Sequence, residues 1–120
     1  MNQLEKYGKR QYTNNIPLVG IEWDERKNLE NQAEHHIAFE DAQYIFSDQD
    51  RLERMDFSME NTSDEERLQT LGKVGKVLLV VYTERGENKR LITARLATKA
   101  ERRSYYGYYQ IDSSGWYKAT

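Results

Sequence analysis

Apolar positions along the chain come in short groups, and their spacing switches between alternation and helical periodicity. Residues 19–23 alternate and predict a first strand. Asp24 then reads as an N-cap, with Glu25 in the first turn of a helix running to about residue 35. His36-Ile37 breaks that helix. Phe39, Ala42, Ile45 and Phe46 recur at helical spacing and predict a second short helix over residues 39–46. Beyond the polar turn Ser47-Asp48-Gln49-Asp50, strands are expected over residues 51–57 and 65–71, with a polar loop at 58–64 between them. Gly72-Lys73-Val74-Gly75 reads as the next turn. Residues 76–83 are the strongest strand, and their unbroken apolar run implies burial on both faces and a central place in a sheet. A hairpin turn at 84–88, with Gly86 free to take positive φ, leads into a strand at 89–95. Thr98 and Glu101 then form a capping box that opens a helix to about residue 106. Strands joined by short turns pair antiparallel. The expected class is therefore α+β, an antiparallel sheet of about four to five strands with two N-terminal helices and one C-terminal helix.

Composition constrains this outline. The 120 residues suit one domain. Leu, Ile, Val and Phe total 24, a fifth of the chain and near the level where disorder sets in; nine Tyr and two Trp add large buriable surfaces that offset this. Residues 1–18 are polar and read as an N-terminal extension, 19–106 as the domain, and 107–120 as an aromatic C-terminal tail. With no Cys, a disulfide framework, a thiolate metal site and a Cys nucleophile are all excluded. The longest apolar run, residues 77–82, is too short to cross a bilayer, and the start of the chain has no signal-peptide pattern. The expectation is a cytoplasmic protein with no membrane association.

A net charge of −2 conceals a split. Residues 1–71 carry 8 basic and 16 acidic side chains, whereas 72–120 carry 10 and 4. Two differently charged faces are implied if the basic residues converge in space.

The candidate chemistry follows that split. Lys27, Asn31 and His35 fall at i, i+4 and i+8, one polar stripe on the first helix. Lys supplies charge for a phosphate, and His, whose ordinary pKa is about 6.5, suits proton transfer. Adjacent His35 and His36 point roughly 100° apart on a helix and do not easily share a metal ion; neither metal nor cofactor is expected. Arg90 and Arg95, followed by Lys99, Arg102 and Arg103, make the main basic cluster. Guanidinium groups grip phosphate bidentately. Strict alternation puts Arg95 on the face of Leu91 and Thr93, and Arg90 opposite, with Ile92 and Ala94. Glu66 beside Arg67 offers a carboxylate base next to a cation. Six of the 14 aromatics lie in the last 16 residues, suited to packing on the sheet, to a partner surface or to base stacking.

Several blocks of the sequence, in order, resemble the BrnT family. They are Glu22-Trp23-Asp24-x-x-Lys27-x-x-x-Asn31-x-x-x-His35, Phe39-Glu40-x-Ala42 and Glu65-Glu66-Arg67-x-x-Thr70-x-Gly72, then Leu79 to Gly86, Arg90-x-Ile92-x-Ala94-Arg95-x-Ala97-Thr98, Glu101-Arg102 and Tyr105. The resemblance covers roughly residues 20–106. It implies a RelE-like endoribonuclease toxin of a type II toxin–antitoxin pair, which cuts RNA without metal and inhibits translation. The implied partner is a BrnA-like ribbon-helix-helix antitoxin, with DNA contacted only through the toxin–antitoxin complex. The family usually has Lys-His-Gly where this chain has Glu34-His35-His36. An acid thus replaces a base beside the site, and the helix-ending glycine is absent.

On that reading Glu66 or His35 moves the proton. Lys27, Arg90 and Arg95 hold and neutralise the phosphate, and Arg67, Lys99, Arg102 and Arg103 bind RNA. The rival reading is a catalytically inactive, toxin-like protein that binds an antitoxin and acts as a corepressor. A direct DNA binder lacks support, because no helix carries clustered base-reading residues.

Overall fold

The structure is a computed structural model and describes residues 20–58, 65–107 and 115–119. The proposed extension 1–18, most of the 58–64 loop and residues 108–114 of the proposed aromatic tail lie outside these residues. Strand β1 (Ile21–Glu22) leads into helix α1 (Glu25–His35) and helix α2 (Phe39–Ala42), which tightens into a 3-10 turn (Gln43–Ser47). Strands β2 (Leu52–Met55), β3 (Leu68–Val74), β4 (Lys76–Arg85) and β5 (Asn88–Leu96) follow, then helix α3 (Lys99–Tyr106) and strand β6 (Tyr117–Lys118). Among the described residues no helix is long and apolar enough to cross a membrane.

The expected helix starts are met by capping. The Asp24 side chain accepts from the Arg26 N–H at 2.8 Å. Thr98 and Glu101 close a full capping box on α3. The end of α1 is less usual. His36 takes the left-handed conformation (φ 61°, ψ 30°) and donates its N–H to the Gln32 carbonyl, the place a glycine fills at most such ends.

The sheet corrects the expectation of four to five antiparallel strands. Six strands lie in the order β1-β5-β4-β3-β2-β6, and β1 runs parallel to β5, so the sheet is mixed. Two short edge strands account for the difference. Each has only two residues, too few for a periodicity, and the edge onto which each docks is a tertiary choice. The central place expected for β4 is observed, with residues 77–83 buried on both faces.

The turn expected at residues 72–75 is mostly strand. A Cβ on Gly72 would stand 2.5 Å from Ile45 Cγ1, so this glycine permits close packing of the 3-10 turn on β3. The reversal falls at Gly75, with φ 73°.

The sheet's two faces carry separate cores. On the first, Leu78, Val80, Tyr82, Leu91 and Ala94 pack against Phe39, Ala42 and Ile45 from α2 and the 3-10 turn. On the second, Leu71, Val77, Leu79, Val81 and Ala97 are buried, with Tyr105 of α3 and Trp116 packed on them. The described part of the C-terminal tail therefore lies on the sheet.

Buried polar groups fix α1 and β2. Asn31 donates to the carbonyls of Ile37 and Ala94 and accepts from the Ala94 N–H, so its amide caps the outer edge of β5 beyond the reach of β1. Arg51 bonds Glu53 at 2.7 Å and Thr70 at 3.0 Å, and the Tyr82 hydroxyl donates to the same Glu53 carboxylate. Burial and that carboxylate push the Tyr82 phenol up, so it stays a donor.

Candidate nucleic-acid interface

The pairing of β4 with β5 decides which way the basic residues point. Val81 faces Thr93, but Tyr82 faces Leu91, so Ile92 is an extra residue and β5 carries a β-bulge. Strict alternation fails there. Arg95 pairs with Leu79 and Arg90 with Thr83, both on the second face, while Leu91 and Ala94 join the first core. The expected split of Arg90 and Arg95 onto opposite faces is thus corrected: the bulge brings them together.

Two further arginines that the sequence did not single out share this face. Arg54 pairs with Gln69, which pairs with Val81 of the second core. Arg85 lies two residues beyond Thr83. The one-residue bulge and the partner registers that align Arg54 and Arg85 with Arg90 are invisible in a single sequence. The available signal was the odd spacing of Arg90 and Arg95, uninterpretable without the register.

Among the described residues, carboxylates hold Arg85, Arg90 and Arg95. Arg90 meets Glu22 at 2.8 Å, and Asn88 donates to the other oxygen of the same group at 2.8 Å. Hydrogen bonds from Asn88 and Arg90 hold the Glu22 carboxyl below its ordinary value. Arg95 grips Glu101 with two parallel bonds, 2.9 and 3.0 Å. Partial burial pushes the Glu101 carboxyl up, but Arg95 and the Thr98 N–H outweigh it and hold it below its ordinary value. Arg85 meets Glu65 at 2.9 Å.

The remaining candidates are more dispersed. Lys99, Arg102 and Arg103 are exposed on α3, whose Glu101 binds Arg95. Arg102 donates to the Ala97 carbonyl at 3.1 Å. Arg67 is half-buried just before β3, its carbonyl accepting from the Asp56 N–H. Glu66 is exposed, and its carbonyl accepts from Thr83, the residue opposite Arg90. It lines an open cleft of about 260 Å³ with Glu65, Leu68, Thr83 and Glu84, and Arg85 is ion-paired to Glu65 of this lining.

Lys27 and His35 ride α1 along the outer edge of β5. Asn31, midway on their stripe, is buried and bound to Ala94, which removes it from any substrate-facing role. Lys27 is exposed; His35 keeps 30% of its side chain exposed, with Nε2 4.0 Å from the Glu34 carboxylate. No described contact joins Lys27 or His35 to Arg90. Among the described residues no group of three or more His, Asp or Glu side chains is placed to hold a metal ion.

The arrangement is therefore an arginine face with pre-oriented guanidinium planes, flanked by a Lys–His stripe at one edge and a basic helix across one end. It suits a polyanion with repeated phosphates. Comparison with known proteins bears on this. Residues 23–101 match the family described as "Ribonuclease toxin, BrnT, of type II toxin-antitoxin system". The 1.1 Å crystal structure of the Brucella abortus ribonuclease toxin BrnT aligns with a TM-score of 0.48 and 24% identity, over 66% of this chain and 96% of that one. None of the curated proteins matches.

Proposed function

Since the chain belongs to the BrnT family of ribonuclease toxins of type II toxin–antitoxin systems, we propose that it is a metal-independent endoribonuclease that inhibits translation and is neutralised by a BrnA-like ribbon-helix-helix antitoxin. Contact with DNA is made through the antitoxin complex. The observation that carries this reading is the convergence of Arg90 and Arg95 on one face, each oriented by a carboxylate.

Cleavage without metal needs a base for the 2′-hydroxyl, positive charge on the crowded phosphorane, and an acid for the leaving 5′-oxygen. Arg90 and Arg95 supply the charge from pre-set orientations, so little reorganisation is needed when it develops. Lys27 adds charge from the β5 edge. Glu66 or His35 moves the proton, each reaching the phosphate once RNA lies across the face. Arg67, Lys99, Arg102 and Arg103 hold flanking phosphates.

Removing such a charge costs about 10²–10³ in rate at comparable sites. Arg95→Ala and Lys27→Ala should both lose RNA cleavage in vitro and growth arrest on induction. Full cleavage by both variants would overturn the assignment. The exposed Glu34 beside His35 favours a second reading, an inactive corepressor. Growth after induction, with and without the neighbouring open reading frame, separates the two. Arrest relieved by the neighbour supports the toxin, and no arrest supports the corepressor.

A further inference from the structure

Helix α3 carries Glu101, which grips Arg95, yet burial does little to fix the helix. Its eight residues are all half-buried or exposed, and a helix this short is marginal by itself. Its position therefore depends on its anchors. Those near its first turn are local in sequence: the capping box of Thr98 and Glu101, the bond from Arg102 to the Ala97 carbonyl, and the Arg95–Glu101 pair. The anchor of its last turn is not local. The Tyr105 hydroxyl donates at 2.6 Å to the carboxylate of Asp48, 57 residues away in the chain. Asp48 ends the 3-10 turn, which packs on the other face of the sheet, so the bond reaches around the sheet edge. That carboxylate is itself held in place. It accepts from the Asp50 N–H at 2.9 Å and from the Lys73 N–H at 2.7 Å, just beyond Leu71, where the pairing of β2 with β3 ends.

We propose that Tyr105 is a positioning residue for Arg95, acting with Asp48 through α3 and Glu101. This deepens the ribonuclease reading and rests on it. Glu101 and Tyr105 stand at i and i+4, so both project from one side of α3, about 6 Å apart along its axis. One anchor grips Arg95, and the other fastens the helix to the sheet edge. The Tyr105 ring packs on the second core, whose Leu79 is the strand partner of Arg95. With both anchors in place α3 resists rolling, and the two Glu101 oxygens meet the guanidinium in its own plane. Without the hydroxyl the ring still packs, but the last turn can roll, and the plane of Arg95 turns with Glu101. A guanidinium stabilises developing charge only from a pre-set orientation. A displacement of about 1 Å from a change remote from the reacting atoms costs on the order of 10²-fold in rate.

Tyr105→Phe keeps the ring and removes the donor. Cleavage of a mixed-sequence oligoribonucleotide by excess protein, in a single turnover, separates the saturated rate from the half-saturating concentration. The proteins are compared at a temperature where circular dichroism shows them folded. The expected result is a saturated rate lowered about tenfold or more, towards the roughly 10²-fold cost of misplacement, with the half-saturating concentration kept. Asp48→Asn weakens the same bond from the acceptor side and should lower the rate in the same direction. On a Glu101→Gln background, Tyr105→Phe should cost less than about twofold, because the grip it protects is already loosened. Full rates for both Tyr105→Phe and Asp48→Asn overturn the positioning role and leave the ribonuclease reading intact. An equal cost on both backgrounds does the same. So does a raised half-saturating concentration with the rate kept, which would put Tyr105 on the RNA itself. No cleavage by the wild type overturns the ribonuclease reading, and the positioning role with it.

Discussion

At the scale of single residues, His36 concentrates a cost that its neighbours make necessary. A non-glycine side chain in the left-handed region is disfavoured by about 1–2 kcal/mol, and His36 is held there by its N–H bond to Gln32. His36→Gly should therefore stabilise the fold by about 0.5–1 kcal/mol, less than the full strain because glycine loses more chain entropy on folding. Thermal melting checks this, with a rise of roughly 2–5 °C expected. His36 also shows what the sequence made legible at this scale. Loss of the helix-ending glycine was visible in Glu34-His35-His36, and the structure adds that the helix ends in the same way without it. Asn31 was equally visible but misread. On a helical wheel it belongs to a polar stripe, yet its amide completes the hydrogen bonding of β5. A polar residue that faces a strand edge and one that faces solvent share the same spacing; only the partner differs.

At the scale of elements, capping chemistry made the starts of α1 and α3 legible, because a cap is a local event between residues two or three apart. The long apolar run made β4 legible for a similar reason. What escaped was set by contacts distant in sequence: the parallel docking of β1, the two residues of β6, and the bulge at Ile92. Gly72 belongs here too, since a glycine reads as a turn unless the element packed against it is known. Its Cα faces Ile45 at a distance that leaves no room for a methyl group. Gly72→Ala should destabilise by about 1–3 kcal/mol, the usual cost of overpacking. The same change made on an Ile45→Ala background should cost less, because the clash has gone. Equal costs on both backgrounds, measured by denaturant unfolding, would show that the glycine is needed for its backbone instead.

For the molecule as a whole, carboxylates set the response to acid. The carboxyls of Glu22, Asp48 and Glu101 are all held below their ordinary values. For Asp48, partial burial works against this, and the Tyr105 hydroxyl with the Asp50 and Lys73 N–H groups outweighs it. Such groups bind protons more weakly when folded than unfolded. The stability they contribute is complete above the ordinary values of 3.8 and 4.5 and is lost as pH falls through the lowered folded ones. Glu101→Gln should lower the melting temperature near neutral pH and flatten its fall between about pH 5 and pH 3. A curve parallel to wild type would mean that Glu101 carries no proton linkage.

The pairing of Arg85, Arg90 and Arg95 with Glu65, Glu22 and Glu101 has a consequence beyond orientation. Seen from farther than a Debye length, about 8 Å in physiological salt, each pair is a dipole with no net charge. The face then exerts little pull on distant polyanions, and encounter with RNA is governed by ordinary diffusion and fit. On contact the phosphate shares each guanidinium with its carboxylate, and this releases fewer counterions than binding to a bare arginine would. Each neutralised phosphate on a single strand contributes about −0.7 to the slope of log K against log salt. The measured slope should fall short of the value that four arginines would give. A protein so built binds bulk cellular RNA weakly at long range and discriminates at close range.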